Sequence, residues 1–149
     1  MFFTEAGGYK FLENVQQNKT ADSVNLAANF PPVSVSAQII EKEDKRYVCV
    51  SFKMQPGYHI YAEESRNTPF VVTSLTIECP SGIQAVGPFL KPAGVLLEGT
   101  EEVMVYEGKV QFFQEITGVS REPVRCKLTY QCCNDLICMP PVEETVIVK

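Results

Sequence analysis

Beyond Pro31-Pro32 apolar and polar residues alternate along much of the chain, and a period of two marks half-buried β-strands. The pattern predicts strands over Val33 to Ile40, Tyr47 to Met54, His59 to Ala62, Val71 to Glu78, Val103 to Tyr106 and Lys109 to Thr117. A further strand starts at Val124. Val124, Cys126, Leu128, Tyr130 and Cys132 share its inward side, and Arg125, Lys127, Thr129, Gln131 and Cys133 its outward side. Val142 to Val148, rich in β-branched residues, reads as the return strand. Glu43-Asp44, Pro56-Gly57, Pro80-Ser81-Gly82 and Glu107-Gly108 supply turns between these segments. Many short strands separated by turn residues predict an all-β sandwich.

Two stretches fall outside the pattern. Residues 1 to 32 hold one short helix-like patch, Phe11, Leu12 and Val15, and read as a lead-in to a domain spanning 33 to 149. Gly87 to Glu102 reads as irregular, because Pro88, Pro92, Gly94 and Gly99 interrupt any regular element. Its apolar centre, Val95-Leu96-Leu97, is costly to leave in water and should pack over something. That something is either a functional site or the edge of the sandwich's own core.

With 149 residues the chain suits one domain and can bury a real core without disulfides. Lys and Arg number 13 against 18 Asp and Glu, and the basic residues are scattered, which argues against a nucleic-acid partner. Six cysteines are many for a cytosolic domain and few for a disulfide scaffold, so an oxidising compartment is favoured. No apolar run reaches the length of a membrane span, and Met1-Phe2-Phe3 is too short for a signal-peptide core. The chain therefore reads as soluble as given, with any export signal or membrane portion lying outside it. There is no C-x-x-C, P-loop, G-x-S-x-G or Gly-rich dinucleotide motif, so hydrolase and nucleotide-enzyme functions have no support.

The chemistry concentrates in Tyr130-Gln131-Cys132-Cys133-Asn134-Asp135-Leu136-Ile137-Cys138-Met139-Pro140-Pro141. Asn134 to Ile137 form a hairpin loop of ordinary length, and Pro140 and Pro141 mark a strand entrance where a missing N–H is tolerated. Residues opposed across an antiparallel pair have Cα atoms about 4.5 to 5.5 Å apart, within disulfide range, so Cys133 and Cys138 can close without distorting the ladder. A loop this short gives only about 2 kcal/mol of stabilisation in the chain-entropy treatment. A bridge at a hairpin tip, facing solvent, is also open to an attacking thiolate. A structural staple and a redox pair remain equal alternatives on spacing alone.

Cys132 competes with Cys133 only by turning an inward side chain toward the loop. Cys126 reads as a core thiol, and Cys49 and Cys79 as small buried hydrophobes or a structural pair. Cys133 and Cys138 with Cys132 or His59 could mimic a zinc site, but no second ligand pair stands at metal spacing. His59, the single histidine, lies in Pro56-Gly57-Tyr58-His59-Ile60-Tyr61, whose aromatic setting alone does not assign it a role.

Taken together, Pro56-Gly57-Tyr58-His59-Ile60-Tyr61 and Tyr130-Gln131-x-Cys133-x4-Cys138-x-Pro140-Pro141 resemble the amino-terminal periplasmic domain of DsbD-type thiol:disulfide interchange proteins. The likeness covers roughly Val33 to Lys149. It implies an immunoglobulin-like β-sandwich, exported to the periplasm. The cysteine pair of such a domain takes electrons from a thioredoxin-like domain and passes them to exported thioredoxin-like proteins, cytochrome c maturation among the processes served. The resemblance makes Cys133 and Cys138 the redox pair and lines the site with His59 and Tyr61. It implies no cofactor, a monomer, C-x-x-C partners and a membrane domain in the same full-length protein. The family's cap loop presents an aromatic residue over the cysteines. The matching stretch here, near Val95 to Glu102, has none and offers Leu96 or Leu97 instead. Cys132 stands where other members carry a small residue.

Overall fold

The computed structural model describes residues 31–66 and 68–149, so the helix-like patch at Phe11, Leu12 and Val15 lies outside the described residues. Eleven strands follow in order: β1 Val33–Lys42, β2 Lys45–Met54, β3 His59–Tyr61, β4 Ser74–Glu78, β5 Ile83–Leu90, β6 Val95–Leu96, β7 Met104–Tyr106, β8 Lys109–Gly118, β9 Val124–Tyr130, β10 Cys132–Cys133 and β11 Val142–Val148. They form three antiparallel sheets ordered β1-β2-β8-β5, β11-β9-β4 and β10-β3-β7-β6. The architecture is an all-β, immunoglobulin-like sandwich.

Strand alternation builds the core. Val33, Val35 and Ala37 of β1, Val48, Val50 and Phe52 of β2, and Phe112 and Ile116 of β8 meet Val124, Cys126, Leu128 and Tyr130 of β9 and Val146 and Val148 of β11 in one buried cluster. Phe52 sits at its centre, edge-on to Phe112 at 5.5 Å and to Tyr130 at 5.8 Å between ring centroids. Such aromatic pairs contribute about 0.5 to 1.5 kcal/mol each beyond their burial. Ile60 of β3 and Cys132 of β10 join the same cluster, which ties the small third sheet to the main core.

The hairpin β1–β2 closes through Glu43 and Asp44, both left-handed, with φ of 53° and 66°. Two positive-φ residues are what a type I′ turn requires to match strand twist. Side chains with a Cβ are strained there.

Several expectations change. Gly87 to Glu102 is not irregular throughout: β5 runs through Gly87 and Pro88 to Leu90, and β6 occupies Val95 and Leu96. The register of β5 against β8 shifts between Val86 and Phe89, so a bulge absorbs the glycine and proline, and β5 is an edge strand. The segment before β4 is also different. Val72 makes a single parallel bridge with Tyr61, and regular pairing begins only at Ser74. Cys49 and Cys79 do not pair: Cys49 lies on β2 and Cys79 just past the end of β4, and both are free thiols.

Candidate functional site

The strand expected to continue from Val124 to Cys133 breaks at Gln131 and changes sheet. β9 pairs with β11 and β4, whereas Cys132 and Cys133 pair with Ile60 and His59 of β3. Gln131 holds the break open. Its side-chain Oε1 accepts from the Val71 N–H at 2.9 Å, and its Nε2 donates to the Met139 carbonyl at 3.0 Å. One side chain thus fixes the segment leaving β3 and the exit of the cysteine loop.

Cys133 and Cys138 face each other across an isolated antiparallel bridge, with Cα atoms 4.0 Å apart, and form a disulfide. Asn134 organises the loop between them. Its Oδ1 accepts from the N–H groups of Leu136 and Ile137, each at 2.8 Å, and its own N–H donates to the Ile137 carbonyl at 2.9 Å. The Met139 N–H then returns to the Cys132 carbonyl at 2.8 Å. With three of its N–H groups engaged, the loop presents Leu136 and Ile137 outward, 88 % and 57 % exposed.

Cys133 does not face solvent as its place on the polar side of the strand suggests. It is 1 % exposed and packs with Tyr61 and Val105, surrounded by Phe70, Val72, Leu97 and Val103. The face away from the main core is covered by a second, smaller cluster. Cys138 is exposed. Cys132 points the other way, into the main core, where burial pushes its thiol up to about 11 against the pull of a hydrogen bond with the His59 backbone.

His59 and Tyr61 reach this smaller cluster from β3. His59 lies directly opposite Cys133 in the ladder, so the two side chains share a face. Its Nε2 is 3.2 Å from the Tyr61 hydroxyl, and the two rings meet edge-on with centroids 5.2 Å apart. Burial holds the His59 imidazole below its usual pKa, partly offset by Glu107 and Asp135. Tyr61 stacks on Phe70, with centroids 5.2 Å apart. Phe70 carries no signal in the alternation or in the quoted motifs, yet it is the aromatic ring placed over this cluster. It comes from the segment after β3, not from the Val95 to Glu102 stretch.

That stretch is a built hairpin. β6 pairs with β7, the Leu97 N–H donates to the Val103 carbonyl at 2.8 Å, and Thr100 closes the turn onto the Leu97 carbonyl. The Tyr106 hydroxyl donates to the Pro92 carbonyl at 3.1 Å, and the Gly94 N–H donates to Glu64 at 3.0 Å. A Cβ on Gly94 would stand 2.9 Å from the Ala62 Cβ, so glycine permits this close approach to the residue that follows β3. Leu97 turns onto the cysteine cluster, whereas Leu96 is 53 % exposed.

A cavity of about 570 Å³ opens beside the site, lined by His59, Tyr58, Leu97, Glu98, Glu107 and Asp135 among others. Arg125 and Lys127 do not belong here. They lie on β9 in another sheet, where Lys127 pairs with Glu78 at 3.2 Å, and the break at Gln131 separates them from Cys133.

Residues 27–149 match the family described as thiol:disulfide interchange protein DsbD, N-terminal. The chain belongs to that family. The reduced N-terminal domain of DsbD from Neisseria meningitidis is a solved relative at 21 % identity and TM-score 0.50, with 83 % of this chain and 91 % of that chain covered. The complex between the DsbD N-terminal and PilB N-terminal domains of Neisseria meningitidis matches at 20 % identity and TM-score 0.51, over 76 % and 80 % of the two chains. These likenesses concern the fold. No match is found among curated protein sequences. In this DsbD N-terminal domain one short bridge thus joins a buried cysteine to an exposed one.

Proposed function

We propose that this DsbD N-terminal domain carries electrons by thiol–disulfide exchange through Cys133 and Cys138. It accepts them from a thioredoxin-like domain, with a membrane domain of the same full-length protein upstream. It passes them to exported thioredoxin-like proteins carrying C-x-x-C, cytochrome c maturation being one outlet. The observation that carries the reading is the asymmetry of the bridge: Cys138 is exposed and Cys133 is 1 % exposed. A partner thiolate meets one sulfur only, so attack on Cys138 with Cys133 as leaving group is the geometry available. The small ring supports the same view, since a loop of this length stabilises a fold by only about 2 kcal/mol.

The exchange needs only sulfur to store two electrons. A mixed disulfide on Cys138 brings the partner's surface onto Leu136 and Ile137, which are exposed and apolar and offer a docking rim. The solved complex of a relative joins a DsbD N-terminal domain to a PilB N-terminal domain, in keeping with a protein partner here. Export to the periplasm and a monomeric state complete the proposal.

The reduction potential tests it. An electron carrier should equilibrate with thioredoxin-like proteins, whose potentials run from about −270 to −120 mV. A potential below about −300 mV would instead mark Cys133–Cys138 as a structural bridge.

A further inference from the structure

We infer that His59 and Tyr61 form a proton relay for the Cys133 sulfur, connecting it to the acid-lined cavity beside the site. The inference rests on the exchange reading above and adds the path of the proton to it. Three relationships carry it. Cys133 is 1 % exposed among Tyr61, Val105 and their apolar neighbours, so a thiolate formed there has no bulk water to receive it. Tyr61 packs in the same cluster as that sulfur, and its hydroxyl lies 3.2 Å from His59 Nε2. His59, directly across the ladder from Cys133 and 6 % exposed, also borders the cavity of about 570 Å³.

A partner thiolate attacks Cys138 Sγ, the Cys133–Cys138 bond breaks, and its electron pair goes to Cys133 Sγ. The Tyr61 hydroxyl gives its proton to that sulfur. His59 passes the Nε2 proton to the Tyr61 oxygen, and Nδ1 takes one from cavity water. The products are a mixed disulfide on Cys138 and a neutral Cys133 thiol, one partner thiolate and one solvent proton having been consumed. When Cys133 later attacks a mixed disulfide on Cys138, the same atoms run in reverse and the imidazole returns to its first tautomer.

The groups around His59 suit this traffic. Glu98 from the β6–β7 hairpin, Glu107 after β7 and Asp135 of the cysteine loop line the cavity and favour proton entry, with Tyr58 beside them. On its own strand His59 meets Tyr61, and from β10 the Cys132 thiol interacts with its backbone while its side chain packs in the main core. Burial keeps the imidazole neutral at pH 7, the form that can both give and take a proton.

Tyr61→Phe tests the relay, because it removes the hydroxyl and keeps the ring stacked on Phe70. Reduction of the bridge by dithiothreitol, quenched by alkylation and read by mass, should slow on the order of 100-fold in this variant, the usual range for losing a general acid. His59→Gln, which keeps a donor toward Tyr61 but cannot relay, should flatten the pH profile of the rate per dithiothreitol thiolate. A Tyr61→Phe rate within twofold of the unaltered protein would overturn the relay. Nitrogen NMR supplies a readout free of substitution, since the chain has one histidine. The imidazole should carry its proton on Nε2 in the oxidised protein and on Nδ1 in the reduced protein, and an unchanged tautomer would overturn the relay. If the unaltered protein gives no mixed disulfide with a Cys-x-x-Ser thioredoxin-like probe, the exchange reading itself falls. Normal trapping without an effect of Tyr61→Phe removes the relay alone.

Discussion

Cys133 and Cys138 are joined across a single antiparallel bridge, yet one sulfur lies beneath the Tyr61–Val105 cluster and the other stands in solvent. The difference arises because β10 is paired on one side by β3 and covered on its outer face, whereas Cys138 precedes Met139-Pro140-Pro141, where two prolines give no ladder donors. On the proposed exchange function, that placement sets its direction. With Cys132 and Cys133 both changed to serine, a single-cysteine thioredoxin-like protein should form a stable mixed disulfide with Cys138, visible on a non-reducing gel. In a Cys138→Ser protein the trap on Cys133 should be slow. Rapid trapping on Cys133 and poor trapping on Cys138 would reverse the assignment.

The two leucines of the β6–β7 hairpin should behave differently. Leu97 packs on the cluster that covers Cys133, and Leu96 is 53 % exposed. Truncating half-buried Leu97 to alanine costs about 1 to 2 kcal/mol of packing. That converts to roughly tenfold faster alkylation of Cys133 in the reduced protein, since about 1.4 kcal/mol is a factor of ten. Leu96→Ala should leave the rate unchanged. Equal effects at the two positions would mean that the hairpin does not act through Leu97.

Much of this arrangement is legible in the sequence, and the residues that are not share a cause. The return strand Val142 to Val148 reads correctly because period-two alternation and β-branching agree there. The switch of sheets at Gln131 is invisible, because alternation continues through it: Cys132 and Cys133 still face opposite sides, only of a different sheet. The burial of Cys133 likewise depends on Phe70 and Leu97, which arrive from distant segments and leave no mark on the local pattern. β5 is hidden by Gly87 and Pro88, ordinary breakers that an edge strand accommodates with a bulge. The lone histidine becomes informative only once the ladder sets it opposite Cys133.

Asn134 and the β1–β2 turn give two stability tests of opposite sign. Asn134→Ala leaves the Leu136 and Ile137 N–H groups without their acceptor, and should cost about 1 kcal/mol and speed hydrogen exchange at those two amides. Unchanged exchange would show that solvent replaces the side chain at no cost. Asp44→Gly relieves a left-handed residue at φ 66° and should stabilise by about 1 kcal/mol, roughly 2 to 4 °C in Tm for a domain of this size. A lower Tm would mean that Asp44 contributes contacts outweighing its backbone strain.

Burial should also make stability fall on both sides of neutrality, through different residues. His59 is held below its usual 6.5 in the folded state, so below that pH the unfolded chain binds a proton that the folded chain refuses. Stability from this group is present above about 6.5 and is lost as pH falls. The thiols act in the other direction. Burial raises Cys49 and Cys132 to about 11 and Cys126 to about 12 from 9.0, so above pH 9 the unfolded chain ionises thiols that the folded chain keeps neutral. Stability from these groups is present below pH 9 and is lost as pH rises through the folded values. Urea midpoints measured from pH 5 to 10 should therefore peak near pH 7 to 8. His59→Gln should flatten the acid limb and leave the alkaline limb in place, whereas Cys126→Ala should shallow the alkaline limb alone. An acid limb equally steep in His59→Gln would assign it to carboxylates and remove His59 as its source.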